Sequence, residues 1–550
     1  MLKGPISATA LLIAICFLVV TPFFWHGIPS GHDFEFHMAS WMEVLSQWKQ
    51  GQIYPRWAVL AHWGYGEARF LFYPPASWTL GAALGAILPW KLVPAAYIWL
   101  VLSLSGLSML LLARRWLPMR DAVFAAAFYA VNPYHLLIVY WRSAFAELLA
   151  AALLPLLVLF ILRLREPGNG PVLGLGLTLA AAWLTNAPAA VMIHYSAGCL
   201  AVATVAGERS WRPLWRMAVA VTLGAALAAF YLVPAVYEEK WVNISEVLAP
   251  GVRPVDNFLF TTIPDADHNR FNRLASTIAV ADIAVVGFAM LLSRTVREQE
   301  RRLRTPIAAW AAIAAVAMFS FTNPLWEHLP QLRFVQLPWR WLLCLNAALA
   351  ILLTMASRHW SLRALACAGM LAVVLVAGYR IQAPWWDNAD DIREMSNAMA
   401  DGTGYEGTDE YVPAGADPYE LKKDLPLVSD GAGNAVRVEG AQWSAIEKQF
   451  VVNADAAEFL TLRLFNYPAW TVTVNGKLVE AGTADVTGQI EIPVEAGRND
   501  VRIRFVRTRD RTIGGAVSLF GIGVFGALWL WGKFGVPRTG AHSSKATPSP

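Results

Sequence analysis

The chain has 550 residues, 56% of them hydrophobic and 15% charged, with 25 tryptophans and a formal net charge of +4. A soluble globular chain carries more charge, about 25%, and less apolar mass, about 45–50%. A mean hydropathy of +0.43 over this length therefore excludes a soluble protein and calls for many membrane spans, and with no long charge run or nucleic-acid motif no nucleic-acid partner is expected.

The first apolar run, Ile6 to Phe24, follows a single Lys3, and no A-x-A cleavage pattern comes after it. It reads as an uncleaved first span. With about 20 apolar residues per crossing, spans are predicted at 6–25, 94–113, 121–139, 147–164, 171–185, 189–206, 217–235, 276–293, 306–321, 339–357, 362–378 and 513–532. The stretch "ASWTLGAALGAILPW" (76–90) is also apolar. The loops "RRWLPMR", "RLRE", "GERSWRPLWR", "RTVREQERRLR", "SRHWSLR" and "GKFGVPR" decide its fate. Twelve crossings, with 76–90 re-entrant or interfacial, put all six on the cytoplasmic side, as the positive-inside rule requires. Both termini, including the tail 533–550, are then cytoplasmic. The outer face carries 26–75, 237–273, 322–340 and the segment 379–512.

The last of these segments is polar at first, then alternates. In "AWTVTVNGK" Trp470, Val472 and Val474 face one way and Thr471 and Thr473 the other, the period of a half-buried strand. Asn475-Gly476 is a type I′ hairpin signal. A small antiparallel β-sandwich is predicted over about 435–510, tethered by the final span. Cys16, Cys199, Cys344 and Cys367 all lie in apolar segments with no CxxC pair, so neither a zinc site nor a disulfide framework is supported.

The most chemically dense stretch is "SGHDFEFHMASW" (30–41), just beyond the first span. Phe34, Met38, Trp41, Leu45 and Trp48 recur at helical spacing, predicting an amphipathic helix in the membrane interface that ends at Gly51. Asp33 and Glu35 open it. A carboxylate there is either a general base toward an acceptor hydroxyl or a ligand for a divalent cation beside a phosphate. The plainer reading makes Asp33 the helix N-cap and Glu35 a partner of the helix dipole. His32 and His37 flank the acids, as metal ligands or as solvated interfacial side chains.

Glu67 and Arg69 form a potential local pair, and Tyr73 with Pro74 and Pro75 pins the return to the membrane. Arg340, in "QLPWRW", sits at the outer end of a span, where a guanidinium suits a phosphate or snorkels to headgroups. Arg333 lies seven residues earlier. Arg142 and Glu147 share an outer turn and are candidates for pairing. Asn132, His135 and Asn186 sit at helix ends, to cap or to line a cavity. Of Glu238, Glu239, Asp256, Asp265, Asp267 and His268, one or two are expected to join a site. There is no P-loop, GxGxxG after a strand, HExxH or GxSxG. No inner loop is long enough for a nucleotide site, so the energy for any reaction must arrive from outside or from the lipid.

Taken in order, "HDFEFH", "GQIYPRW", "GYGEARFLFYPP", "LRFVQLPWRW", "GTDEYVP" and "NYPAWTVTVNGK" resemble bacterial membrane proteins described as 6-pyruvoyl-tetrahydropterin synthase-related, their YfhO-like neighbours and, more broadly, the GT-C glycosyltransferases. The resemblance implies a polytopic α-helical, GT-C-like membrane domain over 1–378 and an enzyme of the bacterial inner membrane using polyprenyl-phosphate sugars. Its acceptor would be a glycan or lipid of the cell envelope. It implies Asp33 as the first-loop acid with Glu35 as a second. Arg340 is the candidate to grip the donor phosphate, and the residues themselves add Arg333, His37, Glu67, Arg69 and Tyr73 as candidate substrate contacts. No cofactor is certain, and a divalent cation on Asp33 and Glu35 is left open. No pterin chemistry is implied, because the zinc-binding histidines of the true synthase have no counterpart. The rival readings are a flippase of lipid-linked saccharides and a non-catalytic scaffold of envelope assembly.

Overall fold

Stretches rich in Leu, Ala and Val fold as helices because a backbone in lipid must satisfy its own hydrogen bonds. The computed structural model describes residues 5–534 except 209, 296, 358, 382–385 and 388. Among these, nine helices are long and apolar enough to cross a membrane. Two bent pairs raise the number to eleven: Arg212–Leu227 with Ala229–Trp241, bent by 74°, and Glu300–Val316 with Ser320–His328, bent by 95°. At the first bend Ser518 of the final helix Arg509–Phe534 repairs the broken ladder. Its hydroxyl accepts from the Phe230 N–H (2.8 Å) and reaches the carbonyls of Ala226 and Leu227 (3.1 and 3.2 Å).

Of the twelve expected spans, eleven are found when each bent pair is one span, and the twelfth, Gly170–Thr185, has only 16 residues, about 24 Å against a hydrocarbon core of about 30 Å. The helix within 76–90, Pro75–Gly85, has 11 residues, about 16 Å, too short to cross alone.

The basic loops gather at one end of the bundle. Glu166 joins Arg115 (3.1 Å) and Arg163 (2.8 Å), its carbonyl accepts from Arg216 (2.7 Å), and Arg363 pairs with Asp121 (2.7 Å). The span Met119–Arg142 leads from Asp121 at that end to Arg142 at the other. The far end carries residues 26–75 and the β-domain.

That domain is a sandwich of a four-stranded and a five-stranded antiparallel sheet, from Val428 to Phe505, around one apolar core that includes Trp470, Val472 and Val474. Asn475 and Gly476 both have positive φ (51° and 76°) and close the hairpin Trp470–Val474/Lys477–Val479. The sandwich is clamped to the bundle through the buried Glu238. Arg511 of the final helix donates to both of its oxygens (2.7 Å each), and Tyr467 donates a third bond (2.7 Å).

The first-loop helix forms as Phe34–Lys49, but it is not a surface helix. Eleven of its 16 residues are buried, which overturns the expectation that it floats in the interface. Trp41 stacks on Tyr97 and Phe145 (4.8 and 5.3 Å between centroids). The polar side is covered as well. Gln47 donates to the Trp57 carbonyl (2.8 Å), and Glu43 accepts from the Val59 amide and from Tyr405 (2.7 Å), residues that lie later in the chain.

Candidate active site

A cavity of about 480 Å³ opens at the end of the bundle away from the basic loops. Its wall includes Asp33, Tyr73, Glu147, Glu239, Arg340 and Glu410. Five separate parts of the chain therefore supply these groups: the first loop, the spans Phe145–Arg163 and Pro338–Ala356, the second helix of the bent pair, Ala229–Trp241, and the segment before the sandwich.

Asp33 stands at the N-cap position of Phe34–Lys49, yet its side chain makes no capping bond. The backbone fixes it instead. Its N–H donates to the Arg142 carbonyl (3.0 Å). Two residues earlier, the Gly31 N–H donates to the Ser143 hydroxyl (2.9 Å), which itself donates to the Pro29 carbonyl (3.1 Å). Only glycine fits at 31, because a Cβ would meet the Trp141 carbonyl oxygen at 2.6 Å and the Ser143 nitrogen at 2.7 Å. Asp33 is thereby locked to the π-helical turn Ile138–Arg142, a local distortion common at functional sites. Glu35 is exposed and off the cavity wall. Two residues apart on a helix, the two acids point to different sides.

The turn that holds Asp33 also carries Arg142, whose side chain enters a buried cluster. Glu147 is its centre. Arg142 donates to Glu147 (2.5 Å), Tyr134 donates to its other oxygen (2.5 Å), and Arg340 Nε adds a third bond (3.2 Å). Arg340 Nη1 donates to the Val335 carbonyl (2.8 Å) and the Gln336 side chain (2.9 Å). Arg340 Nη2 has no protein partner among the described residues. Two guanidiniums against one carboxylate leave this cluster one positive charge in excess, in a bundle of low dielectric.

Of the remaining sequence-derived residues, Tyr73 and Asn186 lie on the wall and His37, Arg333, Glu67 and Arg69 lie off it. His37 is buried behind it, among Phe36, Trp41, Tyr73 and Phe145, and burial pushes its imidazole down to about 4, so it is neutral. Tyr73 lines the cavity, and burial, reinforced by Asp33, holds its phenol well above the ordinary value. Arg333 is exposed over the Phe334 ring (5.0 Å). Glu67 and Arg69 are buried ion-pair partners one layer back. Asn186 lies on the wall, and its side chain accepts from the Ala189 N–H (2.9 Å). Among the described residues no three His, Cys, Asp or Glu side chains converge as metal ligands. Glu35 does not line the cavity that holds Asp33.

Glu67 organises the far wall. It pairs with Arg69, lies 3.0 Å from His62 Nε2, and accepts from the Thr408 N–H (2.9 Å) and hydroxyl (3.4 Å). Burial raises its carboxyl, but Arg69 and His62 outweigh burial and hold it at about 2. Gly407 lies against the His62 ring, where a side chain would clash. Tyr411 stacks on Phe72 (6.0 Å, 6° between planes), and Val412 accepts from the Asn243 N–H (3.0 Å). Glu410 is thus carried into the cavity by a segment held on both sides. Reasoning from sequence gave it no role. Its only local signal is the run "TDEYVP".

A family model described as 6-pyruvoyl-tetrahydropterin synthase related domain, membrane protein, matches residues 70–383, more than half of the chain. The chain belongs to that family. The match runs from the first-loop return past Arg142, Glu147 and Arg340, and so takes in one side of the cavity. No curated protein matches the chain. Among solved structures, the chain is similar to a mutant form of the arabinofuranosyltransferase AftD from Mycobacteria (19% identity, TM-score 0.43). That likeness covers 72% of this chain and 30% of AftD, so the chain spans under a third of that protein. It is also similar to ArnT from Cupriavidus metallidurans bound to undecaprenyl phosphate (15% identity, TM-score 0.46), covering 72% of this chain and 68% of ArnT.

Proposed function

We propose that the protein is an integral membrane glycosyltransferase. It moves a sugar from a polyprenyl-phosphate-linked donor to a cell-envelope acceptor, a glycan or lipid, on the outer face of the bacterial inner membrane. One observation carries the reading: a half-buried carboxylate without a side-chain partner, Asp33, shares a cavity with Arg340 of a net-cationic cluster. The gathering of basic loops at the opposite end favours a cavity that faces outward. On that side there are no nucleotides to supply energy, and an activated sugar on a lipid phosphate reaches the site through the bilayer.

In the reaction the acceptor hydroxyl attacks the anomeric carbon, and the bond from that carbon to the phosphate oxygen breaks. Arg340, backed by Arg142, meets the charge on the departing phosphate, where a preorganised cation lowers the barrier most. Asp33 orients the hydroxyl or takes its proton. Glu35 and Arg333 take no part in this scheme.

The test is transfer of labelled sugar from polyprenyl-phosphate donors by protein in membranes. Asp33→Asn and Arg340→Gln should each lower the rate at least ~10²-fold at normal protein level. Glu35→Gln should stay close to the parent. Full activity in Asp33→Asn would return Asp33 to a place in the backbone and no more.

A further inference from the structure

The cavity wall holds four carboxylates, Asp33, Glu147, Glu239 and Glu410. Glu147 is consumed by two arginines and a tyrosine. Glu239 is exposed. Asp33 and Glu410 remain, both half-buried, and neither side chain has a side-chain partner among the described residues. They belong to different sides. Asp33 is among the charged neighbours of Arg340, at the phosphate end. The charged neighbours of Glu410 are Glu67, Arg69 and Asp409, and it sits beside Tyr411 on the opposite wall.

We infer that Glu410 is the group that takes the acceptor's proton, and that Asp33 orients the substrates at the phosphate end. The inference rests on the glycosyl-transfer reading. The acceptor O–H bond breaks and its proton passes to a Glu410 carboxylate oxygen. The bond from the acceptor oxygen to the anomeric carbon forms as the bond from carbon to phosphate oxygen breaks. The electron pair leaves with the phosphate, toward Arg340. No other reactant is needed.

The surroundings of Glu410 suit this work. Its turn, Asp409–Tyr411, is fixed by Thr408 on Glu67, by Tyr411 on Phe72 and by the backbone bridge from Val242 to Pro413. Burial, helped by Glu67 and Asp409 and opposed by its own backbone amide and Arg69, raises its carboxyl to about 7. Tyr411 beside it, and Tyr73 on the same cavity wall, are both held in the neutral form. A base is most useful when its pKa lies near the working pH.

The experiment uses full-length protein in nanodiscs with undecaprenyl-phosphate-linked glucose, mannose, galactose and arabinofuranose as donor probes. The pH profile of kcat/KM is read from pH 5 to 9. The parent should show a rate that rises with pH and levels off above about 7, because the base must be ionised. Glu410→Gln should lower kcat by ~10²- to 10⁴-fold and abolish the rising limb. Glu410→Asp should restore part of the rate with the limb intact, and it serves as the folded control if the Gln variant does not purify. Asp33→Asn should slow transfer but keep the limb. A Glu410→Gln enzyme within about threefold of the parent, with its limb unchanged, would overturn the inference and leave the glycosyl-transfer reading standing. So would loss of the limb in Asp33→Asn alone. A parent that transfers none of the four sugars would overturn both.

Discussion

Glu67→Gln is the sharpest probe of how the far wall is held. Glu67 and Arg69 are 0% and 1% exposed, so neither can turn to water if the other is lost. The magnitude follows from two routes. Holding Glu67 at about 2 against an ordinary 4.5 is on the order of 3 kcal/mol. Removing one partner of a buried pair costs about 3–5 kcal/mol, because the other charge is stranded. The sign is that of a depressed carboxylate: the contribution is present above about 4.5 and is lost as pH falls through about 2. It is therefore complete at pH 7. The structure locates the loss, because Glu67 anchors Thr408 and with it residues 405–411. Hydrogen exchange at the Thr408 amide should quicken ~10²- to 10³-fold in Glu67→Gln, the range that ~3–4 kcal/mol of lost closing energy implies. The double variant Glu67→Gln/Arg69→Met removes the stranded charge and should recover most of the protection. In the parent, protection corrected for intrinsic exchange should be flat from pH 7 to 5. Unchanged exchange in Glu67→Gln, or a double variant as labile as the single one, would refute the reasoning.

Two further perturbations follow from the same contacts. Gly31→Ala places a Cβ against the Arg142–Ser143 backbone and should cut transfer about 10²-fold by displacing Asp33, with helix content by circular dichroism unchanged. Glu238→Gln strands the buried Arg511 and should cost about 3–5 kcal/mol in unfolding experiments in detergent, with Glu238→Gln/Arg511→Met regaining most of it.

What could be read from the sequence follows the range of the interaction. The spans and the sandwich strands are local, since twenty apolar residues or a two-residue alternation reveal themselves within one window. The bends at Ala228 and beyond Val316 are not local, because Ser518, almost 300 residues away, completes the first of them. The Phe34–Lys49 helix was legible as a helix. Its burial was not, because the cover over Glu43 includes Tyr405, 362 residues later. The site divides the same way. Asp33 and Arg340 stand out by their place beside spans. Glu410 shows only a run of acids, and nothing nearby in the sequence says that Glu67 and Phe72 will hold it over a cavity.

The energetics give a reason to assign chemistry to these groups. A bundle held together only by apolar packing gains nothing from Arg142, Glu147 and Arg340 in its interior, since desolvating an ion costs several kcal/mol and pairing returns that at best. Here the pairing is incomplete in charge: two guanidiniums face one carboxylate, and Arg340 keeps a donor without a protein partner among the described residues. Across the cavity Glu410 has no ion-pair partner among the described residues, while Asp33, on the arginine side, makes no side-chain capping bond. The stabilising choice would have been to pair the excess cation with one of those acids inside the protein. Held apart on separate backbones, Asp33 clamped by Gly31 and Glu410 by Thr408, they leave a gap with Arg340 and Asp33 on one side and a proton acceptor, Glu410, on the other. A substrate that develops negative charge at one end as it sheds a proton at the other completes that circuit, and transfer of a sugar from a phosphate to a hydroxyl is such a reaction.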